Sequence, residues 1–438
     1  MTSCPDTVLP RAKPGHLDSL VRLAAFMLFA PLLLLLVNCG GGGGNGNSQT
    51  VTLITVAPGD NRLPIIVNAG LLNIPNRLYA SVTLCNASGS NCTPAIDNVL
   101  VDTGSVGLRL LSSSAITALG LPAQTVAGQP LMNCARFLDN TNAWGTVKLA
   151  KVTLGGLTTS VAIPIQVIAD PTTPAIPASC GQASSSMTSA TGGSSALGAN
   201  GILGLGLYGQ DCGGNCASSS GAGYYYTCLG GVCNPALVPL SSQVQHPVPH
   251  FSGDNNGLSV ALPSVPASGG NNVQGWVYFG VNTRSNNQLN GNTILYPSSG
   301  DVQTSVSSST PHAFGPVSFP GSFFDTGSNG LYFGTSGTGA GQINIPIDGN
   351  NVFYVPPSAV TVSATVSDNF GNSKPFSFIV ADASQVYAFA QPTRAGKLSN
   401  TQFDWGLPFF FGRTVFQGIE GLSATTTNGT ITGPYYGL

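Results

Sequence analysis

Along the chain, short runs of β-branched and aromatic residues recur, each cut off by Gly, Pro, Asn or Ser. They are LYASVTLC at 78–85, NVLVDTGS at 98–105, TVKLAKVTLGG at 146–156, SVAIPIQVI at 160–168, GWVYFGV at 275–281, VTVSATV at 360–366 and PFSFIVA at 375–381. Runs of this length and residue type, bounded by turn formers, predict strands. Two stretches lack the pattern and are expected as loops: 181–200, rich in Ser, Gly and Ala, and 207–256, which holds four cysteines and Tyr224, Tyr225 and Tyr226. The closing TTTNGTITGPYYGL at 425–438 reads either as a last β-turn segment or as a loose tail, the tail being taken as 421–438.

Composition turns a list of strands into a fold class. The 438 residues suffice for two or three domains. Charged residues make up 7% and hydrophobic ones 42%, which excludes the high-charge signature of disorder and implies a core under an uncharged polar surface. With 57 Gly, 31 Pro and a single glutamate, Glu420, few amphipathic helices can be built, so an all-β fold is expected. A net charge of −2 offers no basic footprint, and nucleic-acid binding is set aside.

The N-terminus departs from this picture. Residues 21–38, VRLAAFMLFAPLLLLLVN, form an apolar run with Arg11, Lys13 and Arg22 at its start and Cys39 and five glycines at its end. Basic flank, apolar stretch and small-residue linker predict an export signal. The segment resembles a bacterial lipoprotein signal, which implies a signal peptide at 1–39, lipidation of Cys39 and a Gly/Asn/Ser linker at 40–50. Asn38 departs from that pattern, since Gly, Ala or Ser is usual before the cysteine. Ordinary signal cleavage nearby or an uncleaved membrane anchor are the other readings of the run. A cell-envelope lipoprotein, facing the outer membrane or periplasm, is thus expected, with a secreted protein as the variant.

Export bears on the cysteines. Apart from Cys4 and Cys39 there are eight, at 85, 92, 134, 180, 212, 216, 228 and 233. An even number in an exported chain implies disulfides. Cys85 and Cys92 flank a turn-rich N-A-S-G-S-N and are expected to close a short hairpin; the other pairings stay open. The spacing of Cys212, Cys216, Cys228 and Cys233 superficially suits a four-thiolate zinc site, but an oxidising compartment favours disulfides, and no metal is expected.

One internal repeat carries chemistry. Asp102-Thr-Gly-Ser-Val-Gly-Leu108 and Asp325-Thr-Gly-Ser-Asn-Gly-Leu331 each follow an apolar strand, 223 residues apart, where chance predicts roughly 0.02 such tetrapeptides per chain. Each motif puts a carboxylate at a strand end on a tight turn, with hydroxyls to hold it and a glycine for close backbone approach. Two such loops joined by a pseudo-twofold axis would set two carboxylates in hydrogen-bonding reach. Like charges that close share a proton and titrate as a unit. One member can then deprotonate a water while the other donates to a carbonyl oxygen.

The twin motifs resemble those of pepsin-like aspartic proteases. The resemblance extends over most of residues 77–420: the segment leading into Asp102 looks like that family's first hairpin, 201–206 (GILGLG) looks like the segment that threads under its active-site loop, and 404–420 looks like its closing segment. The combination is also similar to an uncharacterised bacterial lipoprotein family with the same twin motifs. The resemblance implies a bilobal pepsin-like (acid protease) fold with a cleft between pseudo-twofold-related β lobes, an N-terminal lobe at 51–225 carrying Asp102 and a C-terminal lobe at 256–420 carrying Asp325. Between them, 226–255 is expected as a disulfide- and Pro-rich connection. It implies an aspartic endopeptidase acting on a peptide or protein substrate as a monomer, without a cofactor. Asp102 and Asp325 would be the catalytic pair. Thr103 and Thr326 would lock the loops together, Ser105 and Ser328 would bond the outer carboxylate oxygens, and Gly104 and Gly327 would direct backbone N–H groups at the inner ones.

The departures from that family are specific. Where its flap carries Tyr-Gly, this chain has 134–145, CARFLDNTNAWG, without a tyrosine, which leaves Phe137 or Trp144 to fill the space. Arg109, four residues past Ser105, would lower the carboxylate pKa values and favour an inactive doubly ionised pair if it faced them. A scaffold that binds peptide, glycan or a protein partner without turnover is therefore the competing expectation. Serine hydrolysis lacks both a G-x-S-x-G motif and a clear base, since His246 and His250 lie in a Pro-rich loop and His312 stands alone. Asp301, Asp348, Asp368 and Asp382 sit among turn residues and read as turn caps rather than calcium ligands. The three tyrosines, or Phe409, Phe410 and Phe411, could line a groove; otherwise the former are loop residues and the latter a buried closing strand.

Overall fold

The computed structural model describes residues 56–192, 196–309, 313–336 and 342–438. The expected signal at 1–39, lipidation at Cys39, the linker at 40–50 and His312 lie outside the described residues. The fold is all-β. Among the described residues, seventeen strands join into one sheet, seven form a second, and two form a separate hairpin. All seven runs named above contain strands. Where one face is wet the burial alternates, as in Val360–Ser367. Where both faces are covered the burial is continuous, as in Ile163–Ile168.

The two halves repeat one arrangement. In the first, Gly201–Leu205 lies between Ile96–Asp102, to which it is parallel, and Val106–Leu111, to which it is antiparallel. Ile163–Ile168 then adds in parallel beside Val106–Leu111. In the second half, Gln402–Gly406 lies parallel to Phe314–Asp325 and antiparallel to Leu331–Phe333, beside which Ala395–Lys397 adds in parallel. Each threaded strand passes through a space that only glycine leaves open. A Cβ on Gly204 would come 2.7 Å from the Val106 backbone, and one on Gly406 would come 2.0 Å from the carbonyl oxygen of Gly330.

The halves are welded rather than merely adjacent. Arg62–Val67 pairs with Leu78–Cys85 on one side and Val273–Phe279 on the other, and the sheet continues through Gly257–Leu262 and Arg413–Gly418 to Tyr435–Gly437. A single apolar core runs from Leu63 to Leu438 across both halves. Two expected segments differ accordingly. Residues 421–438 are no loose tail: Tyr435–Gly437 is a sheet strand with both tyrosines buried, because its backbone groups pair with Arg413–Gly418 and Ile294–Leu295. Residues 226–255 are not all connection, because Tyr225–Leu229 pairs with Gln129–Arg136 and turns back as Val232–Pro235.

All eight cysteines of the folded region are paired: Cys85 with Cys92, Cys134 with Cys180, Cys212 with Cys216 and Cys228 with Cys233. The zinc alternative is thereby removed, since its four thiolates are consumed as two local disulfides. Four disulfides suit an oxidising compartment reached by export. Among the described residues, no helix is long and apolar enough to cross a membrane.

Candidate functional site

The repeat brings its two loops face to face. Thr103 N–H donates to Thr326 Oγ1 at 3.1 Å, and Thr326 N–H donates back to Thr103 Oγ1 at 3.0 Å. Each hydroxyl then donates beyond the opposing loop, Thr103 to the Phe324 carbonyl at 3.0 Å and Thr326 to the Val101 carbonyl at 2.7 Å. Both threonines are buried, so these four bonds are sheltered from competing water. The loops are also tied to their own threaded strands in matching fashion: Gly206 N–H donates to the Ser105 carbonyl at 2.8 Å and Leu407 N–H to the Ser328 carbonyl at 2.9 Å.

The carboxylates are held identically. Gly104 N–H donates to Asp102 Oδ1 at 2.9 Å and Ser105 Oγ to Oδ2 at 2.5 Å. Gly327 N–H donates to Asp325 Oδ1 at 2.6 Å and Ser328 Oγ to Oδ2 at 2.8 Å. The glycines do a second thing: a Cβ on Gly104 would lie 2.6 Å from Asp325 Cγ, and one on Gly327 would lie 2.7 Å from Asp102 Oδ1. Each loop's glycine is thus the floor on which the other loop's carboxylate rests. The pair is not symmetric, since Asp102 is buried and Asp325 half-buried. Burial, then the charge of Asp325, then a hydrogen bond shared with it push the Asp102 carboxyl well above the usual range, against the pull of Ser105 and Gly104. The arrangement can therefore keep one proton on the pair.

Beside Gly104 opens a cavity of about 40 Å³ walled by Val106, Leu207, Tyr208, Phe323 and Tyr436. Tyr436, from the segment expected as a tail, also packs edge-on against Phe324 at 4.8 Å, directly before Asp325. The chain end therefore helps to seat the second loop.

Arg109 turns away from the pair. Its guanidinium is buried against Asp211 at 2.9 Å and donates to Asn133 Oδ1 at 2.8 Å and Gln166 Oε1 at 3.0 Å. Asp211 also accepts from Tyr225 OH at 2.5 Å and Asn133 Nδ2 at 3.1 Å. Burial and the Asp211 charge raise the Tyr225 phenol well above its ordinary value. Asp211, Asn133 and Gln166 are not legible as site neighbours, because nothing local marks them; only the tertiary fold brings the strands of Asn133 and Gln166 and the loop of Asp211 together.

Neither flap candidate is found at the carboxylates. Trp144 is buried among Met132, Cys134, Cys180 and Tyr226, stands edge-on to the Tyr226 ring at 5.4 Å, and donates from Nε1 to the Pro174 carbonyl at 2.8 Å. Phe137 lies at the turn between Gln129–Arg136 and Asn142–Leu154, packed toward Tyr79, Leu100 and Ile202. Tyr224, Tyr225 and Tyr226 are buried rather than lining a loop groove; Tyr225 and Tyr226 begin a strand paired on both sides, with Gln129–Arg136 and Val232–Pro235, and Tyr224 directly precedes it. Phe409, Phe410 and Phe411 are buried as expected, although Leu407–Phe410 is a 3-10 turn rather than a strand. Asp348, Asp368 and Asp382 accept from backbone N–H groups of their own turns. Among the described residues, no cluster of three or more His, Cys, Asp or Glu side chains is arranged to hold a metal ion.

His246 is fully buried, with Nδ1 accepting from Val248 N–H at 3.1 Å and its ring against the backbone of Leu205 and Gly206, at the end of the strand threaded behind Asp102. Burial drives its pKa down to about 3.

No curated protein matches the chain. The family model described as "Protein of unknown function (DUF3443)" matches residues 57–437, nearly the whole described fold, and the chain belongs to that family.

Proposed function

We propose that this is an exported aspartic-type peptidase of pepsin-like fold, in which water activated between Asp102 and Asp325 hydrolyses a peptide bond. The ionised member of the pair takes a proton from water, the water oxygen attacks the carbonyl carbon, and the protonated member donates to the carbonyl oxygen. Collapse of that adduct breaks the C–N bond, and a proton returned through the pair leaves on the amine. The observation that carries this reading is the mutual packing of Gly104 and Gly327 on the opposite carboxylates, which holds the pair close enough to share a proton. The duplicated threaded-strand topology adds support. The substrate is an extended peptide, the protein works as a monomer, and a lipid on Cys39 tethers it to the cell envelope.

The test compares the chain from Gly46 onward with its Asp102→Asn variant on a mixed peptide library from pH 3 to 7, with products read by mass spectrometry. Cleavage in the parent and none in the variant is expected. Equal cleavage by both, or none at any pH by folded, disulfide-bonded parent, sinks the reading.

A second reading is favoured by Trp144. The hairpin that would cover the pair spends its large aromatic residue on the Cys134–Cys180 cluster, which leaves a scaffold able to bind peptide, glycan or a protein partner without turnover. A parent that binds a library peptide with the same affinity as Asp102→Asn, and cleaves nothing, would favour it.

A further inference from the structure

The strands Tyr225–Leu229 and Val232–Pro235 form a hairpin whose tip residues are exposed. Its turn is Gly230-Gly231, both at positive φ, +59° and +83°, the conformation of a tight two-residue connection, and a Cβ on either glycine would meet nothing within 4 Å. One step below, Cys228 and Cys233 are directly opposite and joined by a disulfide, so the tip is stiff. The pair at the tip itself is Leu229 opposite Val232, 73% and 64% exposed. Two large aliphatic side chains held together and rigidly outward at one tip form an apolar point that gains by entering a nonpolar phase.

The chain around them favours lipid over a charged partner. From Cys212 to Gly253 there is no Asp, Glu, Lys or Arg, so the tip and the segment behind it carry no charge to desolvate at an apolar boundary. Leu237 and Leu240, on the return segment, are also exposed. The second consideration is reach. If the apolar run at 21–38 leaves the chain anchored at Cys39, the 17 residues 39–55 set an upper reach of about 60 Å between the anchor and the folded body. The folded body is then confined near a bilayer, where a weak second contact suffices because it forms at high effective concentration.

We propose that the hairpin tip carrying Leu229 and Val232 dips into the lipid bilayer surface, as a second contact that orients the tethered body. The inference rests on the anchoring part of the proposed function and is independent of catalysis.

The test uses the full chain in phosphatidylcholine vesicles, with Leu229→Trp as the probe and Phe370→Trp as the control, since Phe370 is 76% exposed at a turn of the second half. Emission gained at position 229 should be quenched at least threefold by lipids brominated on their acyl chains and be protected from acrylamide, while that at 370 should behave oppositely. Vesicle-bound protein whose probe at 229 is as open to acrylamide as that at 370 overturns the tip contact and leaves the anchor standing. A probe shielded from acrylamide yet unaffected by bromine means that protein, not lipid, covers the tip, which also overturns it. Chain that fails to sediment with vesicles overturns the anchor and the tip contact together.

Discussion

Gly104 and Asp325 come from opposite halves of the chain, yet the glycine Cα lies so close beneath the carboxylate that an added Cβ would stand 2.6 Å from its Cγ. The mirror contact joins Gly327 to Asp102. The glycine of the motif is thus demanded by the opposite loop, which neither motif states alone.

Gly104→Ala should therefore displace Asp325 while leaving the buried threonine bonds intact. A destabilisation of about 1–3 kcal/mol is expected from the forced overlap, together with a fall of at least about 100-fold in peptide cleavage, since a misplacement of about 1 Å is costly in a positioned acid–base pair. Thermal unfolding and the library assay, run on one preparation, check both. Unchanged cleavage would mean that the carboxylates need not touch.

Asp102→Asn should abolish cleavage and raise stability at pH 7. The Asp102 carboxyl is raised in the folded protein, so the native state binds the proton more tightly than the unfolded chain does. Its contribution is therefore intact below the unfolded value of 3.8 and is lost as pH rises through the folded value. Asn carries no such penalty. The melting temperature of the variant should exceed that of the parent at pH 7 by a few degrees, and the gap should close below about pH 4.

His246 works in the opposite direction. Its folded pKa of about 3 lies below its ordinary 6.5, so the unfolded chain takes up a proton that the native state refuses. Stability is full above about pH 6.5, falls as pH drops toward 3, and levels off below that, with a total of at most about 5 kcal/mol. His246→Asn, whose side-chain oxygen can still accept from Val248 N–H, should flatten this slope between pH 6.5 and 3 in chemical denaturation series. A slope unchanged by the substitution would show that the titration lies elsewhere.

Asp211→Ala should be among the most damaging single changes, because it leaves the buried Arg109 guanidinium without its counter-charge and Tyr225 OH without its acceptor. A loss of about 3–5 kcal/mol is expected. Adding Arg109→Met should recover part of it, since the orphaned charge disappears with the side chain. Urea midpoints of the single and double variants decide the point.

Much of the site is written in short stretches. The Asp-Thr-Gly-Ser turns, the hydroxyls that hold each carboxylate, and the Cys85–Cys92 closure involve residues within seven positions of each other, so local chemistry suffices to foresee them. The threading of 201–206 behind Asp102 was also legible, through the resemblance its glycines carry. Asp404-Trp405-Gly406, its counterpart behind Asp325, shows in the sequence only as part of a closing segment, because its glycine stands among aromatic residues rather than in a glycine pattern.

By itself, then, the sequence determined an all-β chain, two equivalent carboxylate turns and an even set of cysteines, because strand propensity, turn geometry and hydroxyl spacing are properties of neighbours along the backbone. Only the tertiary structure decided that Arg109 faces Asp211 and not the carboxylates, that Trp144 is spent on a disulfide cluster, that Tyr435 and Tyr436 close the sheet instead of trailing from it, and that His246 is buried behind Asp102. Successive side chains of a strand point to opposite faces. Which face becomes interior depends on the partner strand, and those partners lie tens to hundreds of residues away.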